Sequence, residues 1–185
     1  MRLVFVGPPG AGKGTQAEKI ITKYKPVHLS TGDMLRAARD AKTEIGVQAD
    51  KYMSGGRLVP DGVIIGIIAE RLKKDDCRQG FLLDGFPRTI AQAEALDKML
   101  SEAKTPLDVV LELKVPDEEL RKRLSGRGRK DDTPAAVEER IKGYHTITSP
   151  LLDYYGKKGL LKTIDGLGTV EDIFSRIEAV LDASR

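Results

Sequence analysis

The chain reads as an α/β protein built on a five-stranded parallel sheet flanked by helices. Three observations carry that reading: short apolar runs of strand type, helical patterns between them, and glycine or aspartate at the carboxyl end of a run. The strand-type runs are residues 2–6, a short one around Val27 to Leu29, Phe81 to Leu83, Val109 to Leu113, and Leu160 to Ile164. In such sheets ligands gather at the carboxyl ends of the strands, where Gly7, Asp84 and Asp165 fall.

The first strand, Leu3-Val4-Phe5-Val6, flows into Gly7-Pro8-Pro9-Gly10-Ala11-Gly12-Lys13-Gly14-Thr15 and then into the helical composition of Gln16 to Ile21. Glycines between a strand and a helix let backbone N–H groups converge on an anion at the helix N-terminus, with Lys13 reaching the outer phosphates. The strict phosphate-loop pattern places Ser or Thr directly after the lysine; here Gly14 stands there and the hydroxyl comes one residue later, at Thr15. A tight strand-to-helix turn with no ligand is the competing reading of such a loop.

The helices between the strands are punctuated in the usual way. Ser30 and Asp33 have the spacing of a capping box, Asp61 is placed to cap a helix running to Lys74, and Thr133-Pro134 pairs an N-cap with proline at the first helical position. Gly55-Gly56 and the stretch from Ser125 to Asp132 are the segments expected to be most mobile.

With 185 residues, the chain fits a single domain around one sizeable core. A formal net charge of +3 makes no case for nucleic acid or an anionic membrane. Cys77 alone forms no internal disulfide, and with His28 and His145 it cannot assemble a zinc cluster. A reducing, cytoplasmic setting follows as the expectation, since no apolar run reaches membrane-spanning length and the N-terminal strand runs straight into glycines.

Phe81-Leu82-Leu83-Asp84 is an apolar strand ending in a carboxylate, the arrangement that holds Mg²⁺ beside nucleotide phosphates, although a turn-forming aspartate looks the same. Arg36, Arg88, Arg123, Arg127, Arg129 and Arg140 fall near loops, helix ends or polar helical faces. Phosphoryl transfer needs such planar cations to spread out negative charge. A nucleic-acid patch from Arg121 to Lys130 is the rival, but Asp131 and Asp132 follow at once and no aromatic residue lies between Lys114 and Thr133.

Taken in order, Gly7 to Thr15, Ser30-Thr31-Gly32-Asp33-Met34-Leu35-Arg36, Leu58-Val59-Pro60-Asp61, Asp84-Gly85-Phe86-Pro87-Arg88 and Arg129-Lys130-Asp131-Asp132 resemble the motifs of adenylate kinases over nearly the whole chain. The glycine followed by threonine after Lys13 is that family's version of the loop. The resemblance implies the phosphate-loop nucleotide kinase fold and reversible, Mg²⁺-dependent transfer between ATP and AMP to give two ADP. It also implies a division of the residues. Gly10, Ala11, Gly12, Lys13, Gly14 and Thr15 would cradle the ATP phosphates, with Arg123 and Arg127 gripping them and Gly168 offering a carbonyl to the adenine. Thr31, Arg36, the backbone of Arg57, Leu58 and Val59, Gly85, Phe86, Pro87, Arg88 and Gln92 would bind AMP. Arg129 and Arg140 would clamp the transferring group and AMP, and Asp84, helped by Asp33 through water, would organise Mg²⁺. Asp33 has a second reading as a helix-capping residue.

By the same resemblance, residues 30–59 form an AMP-covering segment and residues 126–133 a short lid, so no structural zinc is expected. A monomer is the default. The nearest rival is a UMP/CMP kinase, which shares the loop and Asp-Gly-Phe-Pro-Arg but tends to a smaller residue at position 31 and an Asn-rich segment where this chain has Thr89-Ile90-Ala91-Gln92. A GTP-hydrolysing regulatory switch is the rival from another class. It would carry an Asn-Lys-x-Asp motif, which Leu161-Lys162-Thr163-Ile164-Asp165 approaches without the asparagine.

Overall fold

A computed structural model of the chain describes residues 1–130 and 132–184, so that Asp131 of the last motif lies outside the described residues. Five strands, β1 (Arg2–Val6), β2 (Val27–Ser30), β3 (Phe81–Asp84), β4 (Val109–Lys114) and β5 (Leu161–Asp165), form one sheet in the order β2-β3-β1-β4-β5. Every pairing is parallel. The strands match the sequence reading to within a residue or so at each end.

The helices are α1 (Lys13–Tyr24), α2 (Thr31–Asp40), α3 (Glu44–Met53), α4 (Asp61–Leu72), α5 (Ile90–Glu102), α6 (Asp117–Ser125), α7 (Pro134–Gly143), α8 (Pro150–Lys157) and α9 (Val170–Ala183). Strand alternation sorts them onto two faces. Val4 and Val6 of β1, Phe81 and Leu83 of β3 and Val110 of β4 point to one side, where they pack with Leu35, Met53, Ile64, Ile68, Leu96, Leu151 and Tyr155. Leu3 and Phe5, Leu82, and Val109, Leu111 and Leu113 point to the other, against Ile20, Leu120, Leu124, Ile141, Ile173 and Ile177. A sheet buried on both faces needs continuous apolar runs rather than alternating ones, which is what FLLD and VVLELK supply.

The order of the strands places the site. β1 sits in the middle; the chain moves from it toward β2 on one side and later toward β4 and β5 on the other, so a crevice opens at its carboxyl end. Registers align Phe5 with Asp84 and Asp84 with Ser30, bringing the phosphate loop, the strand-end carboxylate and the start of α2 to one level.

Two expected caps differ in detail. Ser30 accepts a hydrogen bond from the Asp33 N–H at 3.3 Å, but the Asp33 carboxylate turns to Arg36, so only half of the box forms. Asp61 does not cap α4: Pro60 precedes the helix, which ends at Leu72, and the Asp61 carboxylate instead accepts bonds from Thr89 and Gln92. Thr133 caps α7 as expected, accepting from Ala136 N with Pro134 in the first turn. A complete capping box, unanticipated, opens α9 at Thr169 and Asp172.

Candidate active site

The loop from Gly7 to Gly12 turns at the end of β1 and hands over to α1 at Gly12, whose φ of 96° is open to glycine and strained for other residues. Lys13 opens the helix, and its Nζ curls back to donate to the carbonyls of Gly7 at 2.8 Å and Pro8 at 2.9 Å. Burial lowers its pKa to about 8, against the pull of Asp84 and with Arg88, Arg127 and Arg129 pushing the same way as burial.

A single cavity of about 900 Å³ extends from this loop across the carboxyl ends of β1 and β3 to Gln92, near the upper end of the range for ligand sites, roughly 300–1,000 Å³. Its wall brings together Gly10, Gly12, Lys13, Gly14, Thr15, Thr31, Asp33, Arg36, Arg57, Leu58, Val59, Asp84, Gly85, Arg88, Gln92, Arg123, Arg127, Arg129 and Arg140. Nine of the lining residues are basic and four acidic, so the cavity is an anion site surrounded by fixed positive charge. Four of the residues singled out in the sequence lie elsewhere. Ala11 and Phe86 are buried in the core, Pro87 lines a second, smaller cavity behind Arg88, and Gly168 sits in the loop before α9, outside the wall. A nucleotide contact from Ala11 or Phe86 would therefore run through backbone.

The arginines are held in different ways. Arg88, half-buried on the cavity wall, donates from Nε to the Gly85 carbonyl at 2.9 Å; burial pulls its pKa down, Asp84 opposes that, and Arg140 and Arg36 add to it. Arg123 spans three partners, Glu119 at 2.8 Å and the carbonyls of Ala11 at 3.3 Å and Gly166 at 3.0 Å, which fixes α6 to the phosphate loop. Asp132 holds two cations at once. Arg127 pairs with it through Nε at 2.7 Å and Nη2 at 2.6 Å, and Arg140 through Nη1 at 2.7 Å. This carboxylate occupies the guanidinium positions that a phosphate would take. Arg129 is drawn below its ordinary pKa by burial, then by Arg127 and Arg36.

Asp84 is the carboxylate whose charge acts on Lys13. Burial works to raise its pKa, but His28, whose Nε2 lies 3.8 Å away, and Lys13 outweigh it, so the group is held ionised. An ionised oxygen donor on the wall of an anion cavity suits a hard cation held through water. The Asp33 carboxylate is engaged by Arg36, and can join such a shell only when that pair opens. Among the described residues, no group of three or more His, Cys, Asp or Glu is arranged to hold a metal by itself.

Gln92 is only 2% exposed and engaged at both amide atoms: Oε1 accepts from Arg88 N at 2.8 Å and Nε2 donates to Asp61 Oδ1 at 2.8 Å. Thr31, 3% exposed, donates from Oγ1 to the Asp84 carbonyl at 3.3 Å. Sequence reasoning missed His28 and the apolar wall beside Gln92, formed by Leu35, Met53 and Ile64. Helical spacing marks these three only as core positions; what sets them apart is the tertiary packing of α2, α3 and α4.

Comparison with known proteins agrees with this geometry. The family model described as adenylate kinase matches residues 5–160. An adenylate kinase of Leptospira biflexa is 53% identical over 180 residues, covering 95% of this chain and 97% of the relative. That of Thermodesulfovibrio yellowstonii is 46% identical over 213 residues, at 98% and 99% coverage, and that of Mesorhizobium japonicum 48% over 194 residues, at 100% and 98%. Among the described residues no helix is long and apolar enough to cross a membrane. With matches of this extent, and with the phosphate loop, strand-end carboxylate and arginines converging on one cavity, the chain belongs to the adenylate kinase family and is a nucleoside monophosphate kinase, a phosphotransferase.

Proposed function

We propose that the chain transfers the terminal phosphoryl group of ATP to AMP, giving two ADP and running in either direction, with the cavity residues dividing the work. The carrying observation is the continuity of the cavity: one space of about 900 Å³ joins the phosphate loop to the buried amide of Gln92, with Arg88 and Arg140 between. A hydrolase needs one nucleotide subsite and a water; a space with a phosphate cradle at one end and, at the other, an apolar wall carrying the Gln92 amide suits two nucleotides meeting phosphate to phosphate.

In this reading the N–H groups from Gly10 to Thr15 receive the ATP phosphates. Lys13 swings from the Gly7 and Pro8 carbonyls to the moving group, its charge favoured further by the phosphate field. Arg123 and Arg127 take ATP oxygens, Arg88 and Arg36 the AMP phosphate, and Arg129 and Arg140 the charge that spreads over the group in flight. Thr31, Leu58, Val59, Gly85 and Gln92 hold the AMP base and sugar, and Gly168 lies toward the ATP base. Asp84, and Asp33 once released by Arg36, would hold Mg²⁺ through water, and Mg²⁺ when bound neutralises phosphate oxygens. Residues 126–133, between α6 and α7, act as a short lid and residues 30–59 as the cover over AMP; together they keep water from competing with AMP. The protein acts as a monomer in the cytoplasm.

The test is a coupled assay with ATP and AMP, CMP or UMP in turn, for the parent and Lys13→Met. We expect AMP strongly preferred, two ADP per turnover, and a loss of several orders of magnitude in Lys13→Met with the fold intact. CMP accepted as well as AMP, or phosphate released to water, would overturn the reading.

A further inference from the structure

The amide of Gln92 is locked by its neighbours in one of its two orientations. A backbone N–H can only donate and a carboxylate can only accept, so Arg88 N selects Oε1 and Asp61 selects Nε2. Asp61 is held in turn: Thr89 Oγ1 donates to the same oxygen at 3.0 Å, and that hydroxyl accepts from Gln92 N at 3.1 Å, which leaves its one hydrogen for Asp61. A flipped amide would set an NH₂ against an N–H and a carbonyl against a carboxylate. Each polar atom of the amide still has one free valence, a lone pair on Oε1 and a hydrogen on Nε2.

We infer that Asp61, through Thr89 and Gln92, is a positioning residue that sets the enzyme's choice of purine. The inference rests on Gln92 reading the base, as proposed above. In the locked orientation the amide offers an acceptor and a donor side by side, the complement of the exocyclic amine and bare ring nitrogen of adenine. Hypoxanthine carries a carbonyl and a ring N–H at those two places, so donor and acceptor are reversed. An amide freed to flip meets hypoxanthine as well as adenine. Asp61 thus contributes no contact to the nucleotide, yet its removal changes which base is accepted. Asp61 also opens α4, directly after the segment that covers AMP, so the same carboxylate ties base recognition to the root of that segment.

The experiment compares kcat/KM for AMP and IMP, with ATP as donor, in the parent, Asp61→Ala, Asp61→Asn and Gln92→Ala, with thermal unfolding as a control. Asp61→Ala should lower the AMP-to-IMP ratio by about tenfold or more, part of it as a gain on IMP, since one complementary pair has lost its enforcement. Asp61→Asn keeps an oxygen for the Thr89 hydroxyl and Gln92, and should stay within about threefold of the parent. Gln92→Ala should remove most of the discrimination. Should Asp61→Ala not fold, Asp61→Ser, whose hydroxyl is too short to reach Gln92, carries the same expectation. An unchanged ratio in Asp61→Ala beside a collapsed one in Gln92→Ala overturns the relay while leaving Gln92 as the reader. An unchanged ratio in Gln92→Ala overturns the base-reading role itself.

Discussion

Gly56 packs against Ala136 so closely that a Cβ on the glycine would lie 2.4 Å from the Ala136 carbonyl oxygen. The contact joins the segment between β2 and α4 to the first turn of α7, and Arg140 adds a bond from Nη2 to the Met53 carbonyl at 3.4 Å. The two sides of the cavity therefore meet along one line, beside Arg57 and Arg140 of its wall.

Replacing Gly56 by alanine should block this approach. Its φ of 72° already disfavours any side chain, by about 1–2 kcal/mol, and the obstacle is rigid backbone rather than a flexible tip. The AMP-covering segment would stop short of α7, and we expect kcat/KM for AMP to fall about ten- to a hundredfold with ATP binding little changed. Gly55→Ala is the control. A Cβ there meets the Arg57 side chain at 3.4 Å, which can move aside, so that variant should behave like the parent. Equal effects of the two substitutions would show that the contact does not matter for closure.

Most of what depends on local pattern was legible in the sequence, although the Thr169–Asp172 capping box was missed. Apolar runs ending in Gly7, Asp84 and Asp165 placed the strands, and Thr133-Pro134 placed the start of α7. What depends on distant residues meeting was not. Asp61 looked like a cap, because a carboxylate at a helix start usually is one; its partners are 28 and 31 residues away, and nothing local announces them. His28 lies two residues before the point where β2 pairs with Asp84, and only the parallel register brings its ring to that carboxylate. Gly56 and Ala136 are on different elements, and the closeness of the glycine's α-carbon to α7 exists only in the folded chain.

Tyr155 offers a stability test away from the site. Its ring is fully buried in the core between the sheet and α5, and its hydroxyl has no hydrogen-bond partner among the described residues. Burial, with Asp97 and Tyr154 adding to it, pushes the phenol far above its ordinary pKa. An unpaired buried hydroxyl costs about 1–3 kcal/mol in desolvation, so Tyr155→Phe should leave the unfolding free energy unchanged or raise it by about 1 kcal/mol. A loss of that size in urea or thermal unfolding would reveal a bound water satisfying the hydroxyl.

Lys13 should limit activity at alkaline pH, and its limb should move when substrate binds. Burial lowers its pKa to about 8, so raising the pH through 8 converts it to a neutral amine and removes the charge the phosphates need. The profile of kcat/KM reports the free enzyme and should fall above that pH. Bound polyphosphate favours the cation and raises the pKa, so the limb in kcat should lie at higher pH, with proton uptake on ATP binding near pH 8. Coincident limbs in the two profiles would mean that another group sets the alkaline loss.

Arg129 tests whether the lid delivers catalysis or only affinity. It stands on the loop between α6 and α7, and burial lowers its pKa first, with Arg127 and Arg36 as like charges next, a repulsion that phosphate oxygens would relieve. Arg127 and Arg140 have Asp132 to satisfy them, whereas the guanidinium of Arg129 makes no hydrogen bond among the described residues and only its backbone carbonyl accepts one, from Asp132 N. An arginine inserted on the transferring group contributes on the order of 10³ to 10⁵ in turnover in related reactions. Arg129→Ala should accordingly lose about 10³ or more in kcat with a much smaller change in ATP affinity, because the charge it meets is greatest in the transition state. A ligand joining two adenosines through five phosphates should bind the parent far more tightly than ATP does, by filling both ends of the cavity at once. If that ligand binds no better than ATP, or if Arg129→Ala changes only KM, then the cavity serves one nucleotide at a time and the lid arginine serves binding alone.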